Sequence, residues 1–303
     1  MTKKVTILRG EPYVVPLAEQ KLLTLGVEDM MQWVRDHRPE CLPDPTAPDG
    51  LPGNEWLALF PHGGVDENTG RELSANELLV ELAGRKCYDS FGAKAGRKSN
   101  REYIANTQAG DVPHSSILYH AKMTFFFAGV SRRVSHEIIR NYVGSDRDEE
   151  GSPSQESTRF THHYGFFIEP PRYSQLAQGS AEAPADSYLQ QHFERSMQVA
   201  YDNYLEAIDL EVEAFSKLFG KPPTSLDKKR IYEAASSFLP HQAETSFIWT
   251  CNPMWIAKFV RERDNVHADL EIQRFAKKLR RVALARWPNL FIQPWMQEPT
   301  EKE

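Results

Sequence analysis

The side chains with the most chemical content fall in two separated stretches. Ser154-Gln-Glu-Ser-Thr-Arg159-Phe160 crowds the hydroxyls of Ser157 and Thr158 and the Arg159 guanidinium into one short, turn-like segment. A loop that offers backbone amides, hydroxyls and an arginine is, chemically, a cradle for a phosphate. Shortly before it, Arg133, Glu137 and Arg140 recur at i, i+4 and i+7, which places them on one face of a helix. Further along, Arg261-Glu-Arg263-Asp264 adds more charge. Taken alone, each has an ordinary reading as well, the first as polar surface and the last as a solvated helix end. His162-His163 does not suggest a metal site, because adjacent histidines face different ways and no acidic or cysteine partner has ligand spacing.

Several elements must position these groups. Residues 4–8 read as a short strand and Val27 to His37 as a helix. Pro39, Pro43, Pro45, Pro48 and Pro52, with Gly50 and Gly53, forbid regular structure between them. Ser74-Ala-Asn-Glu77 is a capping box that opens a helix. Ile117 to Val130 is a buried strand or a buried helix, and Phe125 to Phe127 belong to the core. Ser131 caps a helix reaching about Tyr142, with Val134, Ile138 and Tyr142 on its apolar face. A polar, solvated loop, Gly144 to Ser152, follows. The longest helix is expected from about Asp186 to Phe219, on the repeat Leu189, Phe193, Met197, Tyr201, Leu205, Ile208, Val212 and Phe215, with Gly220 at its end. Ser225 opens a helix to about Phe238. Asn252 caps another that has Pro253 at its first position. A last helix covers roughly His267 to Arg286, before Trp287-Pro288.

Composition removes some classes of function. No apolar run approaches the roughly 18 residues a membrane span needs, so no membrane association is expected. A net charge of -6 gives no global attraction to nucleic acid. The basic run Lys277, Lys278, Arg280, Arg281 and Arg286 shares an amphipathic helix with Phe275, Leu279, Val282 and Leu284, and is read as a solvated face. Three cysteines, Cys41, Cys87 and Cys251, are an odd number in different contexts, which fits a reducing, cytoplasmic setting; Cys251 is a small buried hydrophobe.

Two blocks in order sharpen this picture. The first runs His114-Ser-Ser-Ile-Leu-Tyr-His120-Ala, Phe125-Phe-Phe-Ala-Gly-Val-Ser-Arg-Arg-Val-Ser-His-Glu-Ile-Ile-Arg140 and Ser154-Gln-Glu-Ser-Thr-Arg-Phe160. The second runs Phe238-Leu-Pro, Glu244-Thr-Ser-Phe-Ile-Trp-Thr-Cys-Asn252, Phe259-Val-Arg-Glu-Arg263 and Ala268-Asp-Leu-Glu-Ile-Gln273. Together they resemble the flavin-dependent thymidylate synthases, which place an Arg-His-Arg at the end of the first helix and a Ser-x-Arg-Tyr soon after it. The resemblance covers about residues 78–290.

That resemblance implies roles, residue by residue. Glu137, Arg140, Gln155, Glu156, Ser157, Thr158 and Arg159 fall where the family holds the deoxyuridylate phosphate and sugar. Arg263 falls where the family's arginine contacts the uracil ring, favours its N3-deprotonated form and carries catalysis. Arg140, Asn141, Tyr142, Gln155, Asn252, Met254 and Lys258 fall where the family binds FAD, and His120 and Lys122 in its Glu-His region, with Tyr119 in place of the Glu. His120 also has a reading as a core histidine. No enzymic nucleophile is needed, since a flavin, with NADPH and methylenetetrahydrofolate as co-substrates, carries the hard chemistry.

The pattern departs from the family at named positions. Arg-His-Arg is Arg140-Asn141-Tyr142, and seven residues, Asp146 to Ser152, are inserted after it. Ser236 stands at the substrate-side arginine before the Leu-Pro, Met254 at a cofactor-side arginine, Lys258 at a usually neutral position, and Phe160 at a tyrosine. Each lost charge-assisted phosphate contact costs about 1.5–3 kcal/mol, so replacements are required; Arg133, Arg147, Lys258 and Arg261 are the candidates. The expected fold is α/β (α+β), helices packed on a small mixed sheet, with residues 1–73 an atypical N-terminal extension to a domain at 74–303. The expected reaction is C5-methylation of a uracil nucleotide, dUMP to dTMP. The alternatives are a methylase of another pyrimidine nucleotide such as UMP, or a non-catalytic nucleotide-binding homologue. The expected partners are a small-molecule nucleotide and a folate, and the family also implies a homotetramer.

Overall fold

A computed structural model describes residues 3–38, 57, 59–91, 96, 98–109, 113–143, 153–178 and 188–297, with the backbone alone at 141–143. The proline-rich segment 39–53, the inserted loop 146–152 with Arg147, Cys41, and the side chains of Asn141 and Tyr142 lie outside the described residues. The architecture is α+β. In chain order it comprises β1 (Thr6–Leu8), β2 (Tyr13–Glu19), α1 (Thr24–His37), α2 (Ala75–Tyr88), α3 (Asn100–Gln108), β3 (Met123–Ser131) and α4 (Arg132–Val143). Then follow β4 (Ser154–Gln155), β5 (Phe166–Ile168), α5 (Pro171–Gln178), α6 (Tyr188–Phe219), α7 (Ser225–Ala235), β6 (Glu244–Cys251), α8 (Pro253–Arg263) and α9 (Leu270–Arg286).

One sheet has the order β2-β3-β6-β4; a second pairs β1 with β5 in parallel, Ile7 opposite Phe167. The stretch that periodicity left open between strand and helix is divided. A 3-10 helix takes Ser115–His120, and β3 takes Met123–Ser131. In β3, Met123, Phe125 and Phe127 are fully buried at alternate positions, the period of a pleated strand. Thr245, Phe247, Trp249 and Cys251 do the same in β6.

The chain groups into two compact units, one of residues 1–15, 126–249 and 263–278, the other of 16–125, 250–262 and 279–303. In the first, Val5, Phe167, Phe193, Met197, Tyr201 and Tyr204 form a core cluster, and Phe127 packs at 4.9 Å from Phe247 and 5.2 Å from Phe275. In the second, Val27, Met31 and Val34 of α1 pack with Leu78 and Leu82 of α2 and with Phe60 and Phe91.

Local signals fold as their chemistry requires. Ser74 and Glu77 form the reciprocal capping box of α2. The Asn252 carboxamide oxygen accepts from Trp255 N at 2.9 Å and caps α8. Gly220, with φ +65°, closes α6 by donating to Ser216 O. Some boundaries differ. The helix after Ser225 is α-helical only to Ala235 and tightens to a 3-10 turn through Phe238. The last helix begins at Leu270 and not near His267, because the Asp269 carboxylate accepts from Glu271 N at 3.0 Å and serves as its cap. On α6 the buried stripe runs Gln190, Phe193, Met197, Tyr201 and Tyr204, and no residue beyond Tyr204 is buried.

Candidate active site

The site is anchored where β3 turns into α4. Ser131 Oγ accepts from Val134 N at 3.2 Å, the expected cap, and also donates to the Glu271 carboxylate at 2.9 Å. Glu271 is buried and takes Ser131 N at 2.8 Å and Arg133 Nη2 at 3.2 Å. Arg133 reaches Asp269 as well, at 3.1 Å. The first turn of α4 is thus tied to the start of α9. Its apolar residues Val134 and Ile138 are buried, while Arg133 and Glu137 are half-buried and Arg140 is exposed.

From α4 the network passes to the Ser/Arg segment. The Gln155 carboxamide donates to Ser135 Oγ at 2.9 Å and to Thr245 Oγ1 at 3.0 Å. Arg132 Nη2 donates to Glu156 O at 2.8 Å. Ser157 O accepts from the backbone N–H of Phe160 and Thr161 and from Thr161 Oγ1, so 157–161 is a closed turn. Arg159 N donates to Ser157 Oγ at 3.3 Å. The exposed Arg159 guanidinium pairs with Glu233 of α7 at 3.0 Å, and Ser236 Oγ donates back to Glu233 O at 2.7 Å. Lys229, one turn earlier on α7, lies 4.0 Å above the Phe160 ring. On the other side of α4, Arg263 pairs with Glu137 at 3.4 Å.

Gln155, Glu156, Ser157, Arg159 and Ser236 therefore belong to one connected set of polar contacts, and the Glu137–Arg263 pair is a separate contact on the same helix α4, within the same unit. Thr158 is half-buried in the same turn. Burial pushes the Arg132 guanidinium below its ordinary value, against the opposing pull of Glu156 and Glu244. Arg132, Arg133 and Arg263 each keep a buried Nε with no acceptor among the described residues. Arg140 makes no ion pair among them. Buried guanidinium N–H groups without acceptors are what an anionic ligand with several oxygens would satisfy.

The expected flavin-side positions His120, Lys122, Asn252, Met254 and Lys258 lie in the other unit. His120 is exposed, which overturns its reading as a core histidine. Lys122 is held through its backbone, N–H to Gln20 and carbonyl from Asn76. Asn252 is buried, and Met254 and Lys258 are half-buried. Lys258 makes no ion pair among the described residues, whereas Arg261 stacks over the Trp295 ring at 5.3 Å.

A family model described as thymidylate synthase complementing protein matches residues 71–289. The chain belongs to that family. Relatives named flavin-dependent thymidylate synthase include one from Corynebacterium aurimucosum, 30% identical over 75% of this chain and 84% of the relative. One from Mycolicibacterium vanbaalenii is 31% identical over 73% of this chain and 80% of its own length. One from Mycobacterium sp. (strain KMS) is 33% identical over 73% and 80%.

Within this thymidylate synthase complementing domain, sequence reasoning missed Arg132, Ser135, Thr245, Glu233 and the anchoring role of Glu271. Glu233 had a visible signal, since it stands one turn before Ser236 on the same helix. Arg132 and Ser135 had none beyond lying in a helix whose other face was being read.

Proposed function

We propose that this protein methylates carbon 5 of a uracil nucleotide, converting dUMP to dTMP. Methylenetetrahydrofolate would supply the one-carbon unit, and NADPH the reducing electrons. The observation that supports this reading is that helix α4 carries both the Gln155 contact, next to the Arg159 turn, and the Glu137–Arg263 pair, together with membership of a family whose relatives bear the flavin-dependent name.

The residues divide the work by chemistry. Ser157, Arg159 and the backbone amides of the 157–161 turn would hold the phosphate, the nucleotide displacing the Glu233 carboxylate. That displacement costs little, because an exposed ion pair contributes about 0–1 kcal/mol. Gln155 and Arg132 tie the segment before this turn to α4, which would hold phosphate and ring in one frame. Arg263 would face the ring, where its charge stabilises electron density developing towards C5; such preorganised electrostatics is often the largest catalytic contribution. FAD is assigned, by the family resemblance alone, to Arg140 and Gln155 in one unit and to Asn252 and Lys258 in the other. Bound there, it supplies hydride and one-carbon transfer chemistry that no side chain of this set provides.

The reading extends to a homotetramer in a cytoplasmic setting, with residues 1–73 as an addition to the family domain. The distal half of α6 supports self-association through exposed Leu210, Leu218 and Phe219, the second 77% exposed. The test is the absorption spectrum of purified protein, then anaerobic reduction by NADPH with dUMP or UMP present, then turnover of each. A yellow protein that forms dTMP is expected. Faster turnover of UMP would move the substrate to the ribonucleotide. Protein that cannot be loaded with FAD and turns over neither nucleotide would refute the proposal.

A further inference from the structure

We infer that Tyr204 and Tyr201 are positioning residues for the nucleotide phosphate: from α6 they hold the backbone that follows the 157–161 turn, and so set where Ser157 and Arg159 stand; this rests on the nucleotide reading proposed above. The turn lies at the surface, with Arg159 and Phe160 exposed, and its own backbone bonds close on Ser157 O. Its two ends must be fixed from outside, or each ligand would have to order the backbone before using it. The upstream end is fixed by strand pairing. Ser154 and Gln155 of β4 lie against Ile248 and Phe247 of β6, and Glu156 N donates to Ser246 O at 3.0 Å. Among the described residues the downstream end has no ladder until Gly165 O takes Thr6 N at 2.8 Å and β5 begins at Phe166.

Side chains of α6 fill that gap. His163 N donates to Tyr204 Oη and His163 O accepts from Tyr201 Oη, each at 3.1 Å. The tyrosines are three residues apart and so project from one helix face. Both are fully buried, their rings stack at 6.1 Å, and they pack with Phe167 and Phe193, so their hydroxyls have fixed positions. Gly165, at φ +82°, lies so close to the Tyr201 ring that a Cβ would meet Cε1 at 2.9 Å. The chain leaving the turn is thus clasped between β1 and α6. The clasp also reaches α7: the His162 ring lies 5.4 Å from that of Tyr204 and 6.1 Å from that of Tyr232, the residue before the Glu233 that pairs with Arg159. Donors recognise a phosphate only when they converge on its oxygens, and a displacement of about 1 Å can cost about 100-fold. In Tyr204→Phe a buried N–H loses its acceptor, and the backbone can satisfy it only by moving His163 towards water, and the turn with it. Arg263 pairs with Glu137 and with none of these residues, so the loss falls on the phosphate and not on the ring.

The test compares equilibrium binding of dUMP and of deoxyuridine, which lacks the phosphate, to the FAD-loaded protein, with KM and kcat for dUMP measured alongside. The native protein is expected to prefer dUMP. Tyr204→Phe should lose about tenfold or more of that preference through weaker dUMP binding, with deoxyuridine affinity unchanged. Its KM should rise in proportion, and kcat at saturation should stay within about twofold. Phe193→Leu, a core substitution on the same helix, controls for lost stability: it should lower the melting temperature and leave the preference intact. Should Tyr204→Phe not fold, Tyr201→Phe, which frees His163 O, carries the same comparison. An unchanged preference in the tyrosine variant, or an equal loss in Phe193→Leu, overturns the inference and leaves the tyrosines a structural role alone. A native protein that binds deoxyuridine as tightly as dUMP, or binds neither, would instead overturn the phosphate assignment of the turn in the nucleotide reading, and this inference with it.

Discussion

His163 is held neutral by its surroundings, and acid should exploit that. Its imidazole is 8% exposed. Burial, then the charges of Arg132 and His162, lower its pKa from 6.5 to about 4, against a hydrogen bond to the Glu244 backbone. The geometry demands the neutral ring independently, because Gly165 N donates to His163 Nδ1 at 3.2 Å and protonation would remove that acceptor. The backbone around it is fixed by Tyr204, whose hydroxyl accepts from His163 N, and by Tyr201, which donates to His163 O. A folded pKa depressed below the unfolded value contributes stability that is complete above pH 6.5. Between about 6.5 and 4 the unfolded chain binds a proton that the native state refuses, so that contribution is lost as pH falls through this window. It amounts to about 3 kcal/mol. Carboxylates titrate over part of the same range, so the informative quantity is the difference between native protein and His163→Asn. The variant keeps an acceptor near the Nδ1 position but loses ring contacts with Phe167 and Tyr201. Urea unfolding at pH 7.5, 6 and 4.5 should show the variant less stable at pH 7.5, yet losing about 2–3 kcal/mol less on acidification. Parallel losses in the two proteins would refute the reasoning.

Three further outcomes are expected. Arg263→Ala should lower turnover of dUMP by about 100-fold or more while leaving the melting temperature within a few degrees; undiminished turnover removes its catalytic assignment. Gly165→Ala places a Cβ 2.9 Å from Tyr201 Cε1 at φ +82°, which should cost about 1–3 kcal/mol in thermal or chemical unfolding, and native-like stability would contradict it. Glu77 is fully buried and accepts from both Arg71 nitrogens, from Ser74 N and Oγ, and from Asn289 N. Glu77→Ala should therefore destabilise by about 3–5 kcal/mol, whereas a loss near 1 kcal/mol would reduce Glu77 to its capping role alone.

Those residues also separate what could be read from the chain from what could not. Glu77 shows the division within one side chain. Its capping box with Ser74 involves residues three apart, so the spacing alone announced it, as the Asn252-Pro253 start of α8 was announced. Its bond to Asn289 N spans 212 positions, and no local pattern specifies which distant amide will arrive. The site divides in the same way. The helix over 132–143 and the apolar pair Val134 and Ile138 follow from period, and the turn at Ser157-Thr-Arg159 from residue types. The partners of its arginines do not: Glu233 for Arg159, Glu137 for Arg263, and Asp269 with Glu271 for Arg133 are surface-type acids whose choice depends on how α7, α8 and α9 are placed. His120 fails differently, since an exposed and a buried histidine leave the same trace in an apolar neighbourhood. The family pattern could place Arg159 and Arg263 at a nucleotide, but it carries no charge balance. Glu137 and Glu233 already pair with Arg263 and Arg159, a balance of charge that no spacing along the chain announces.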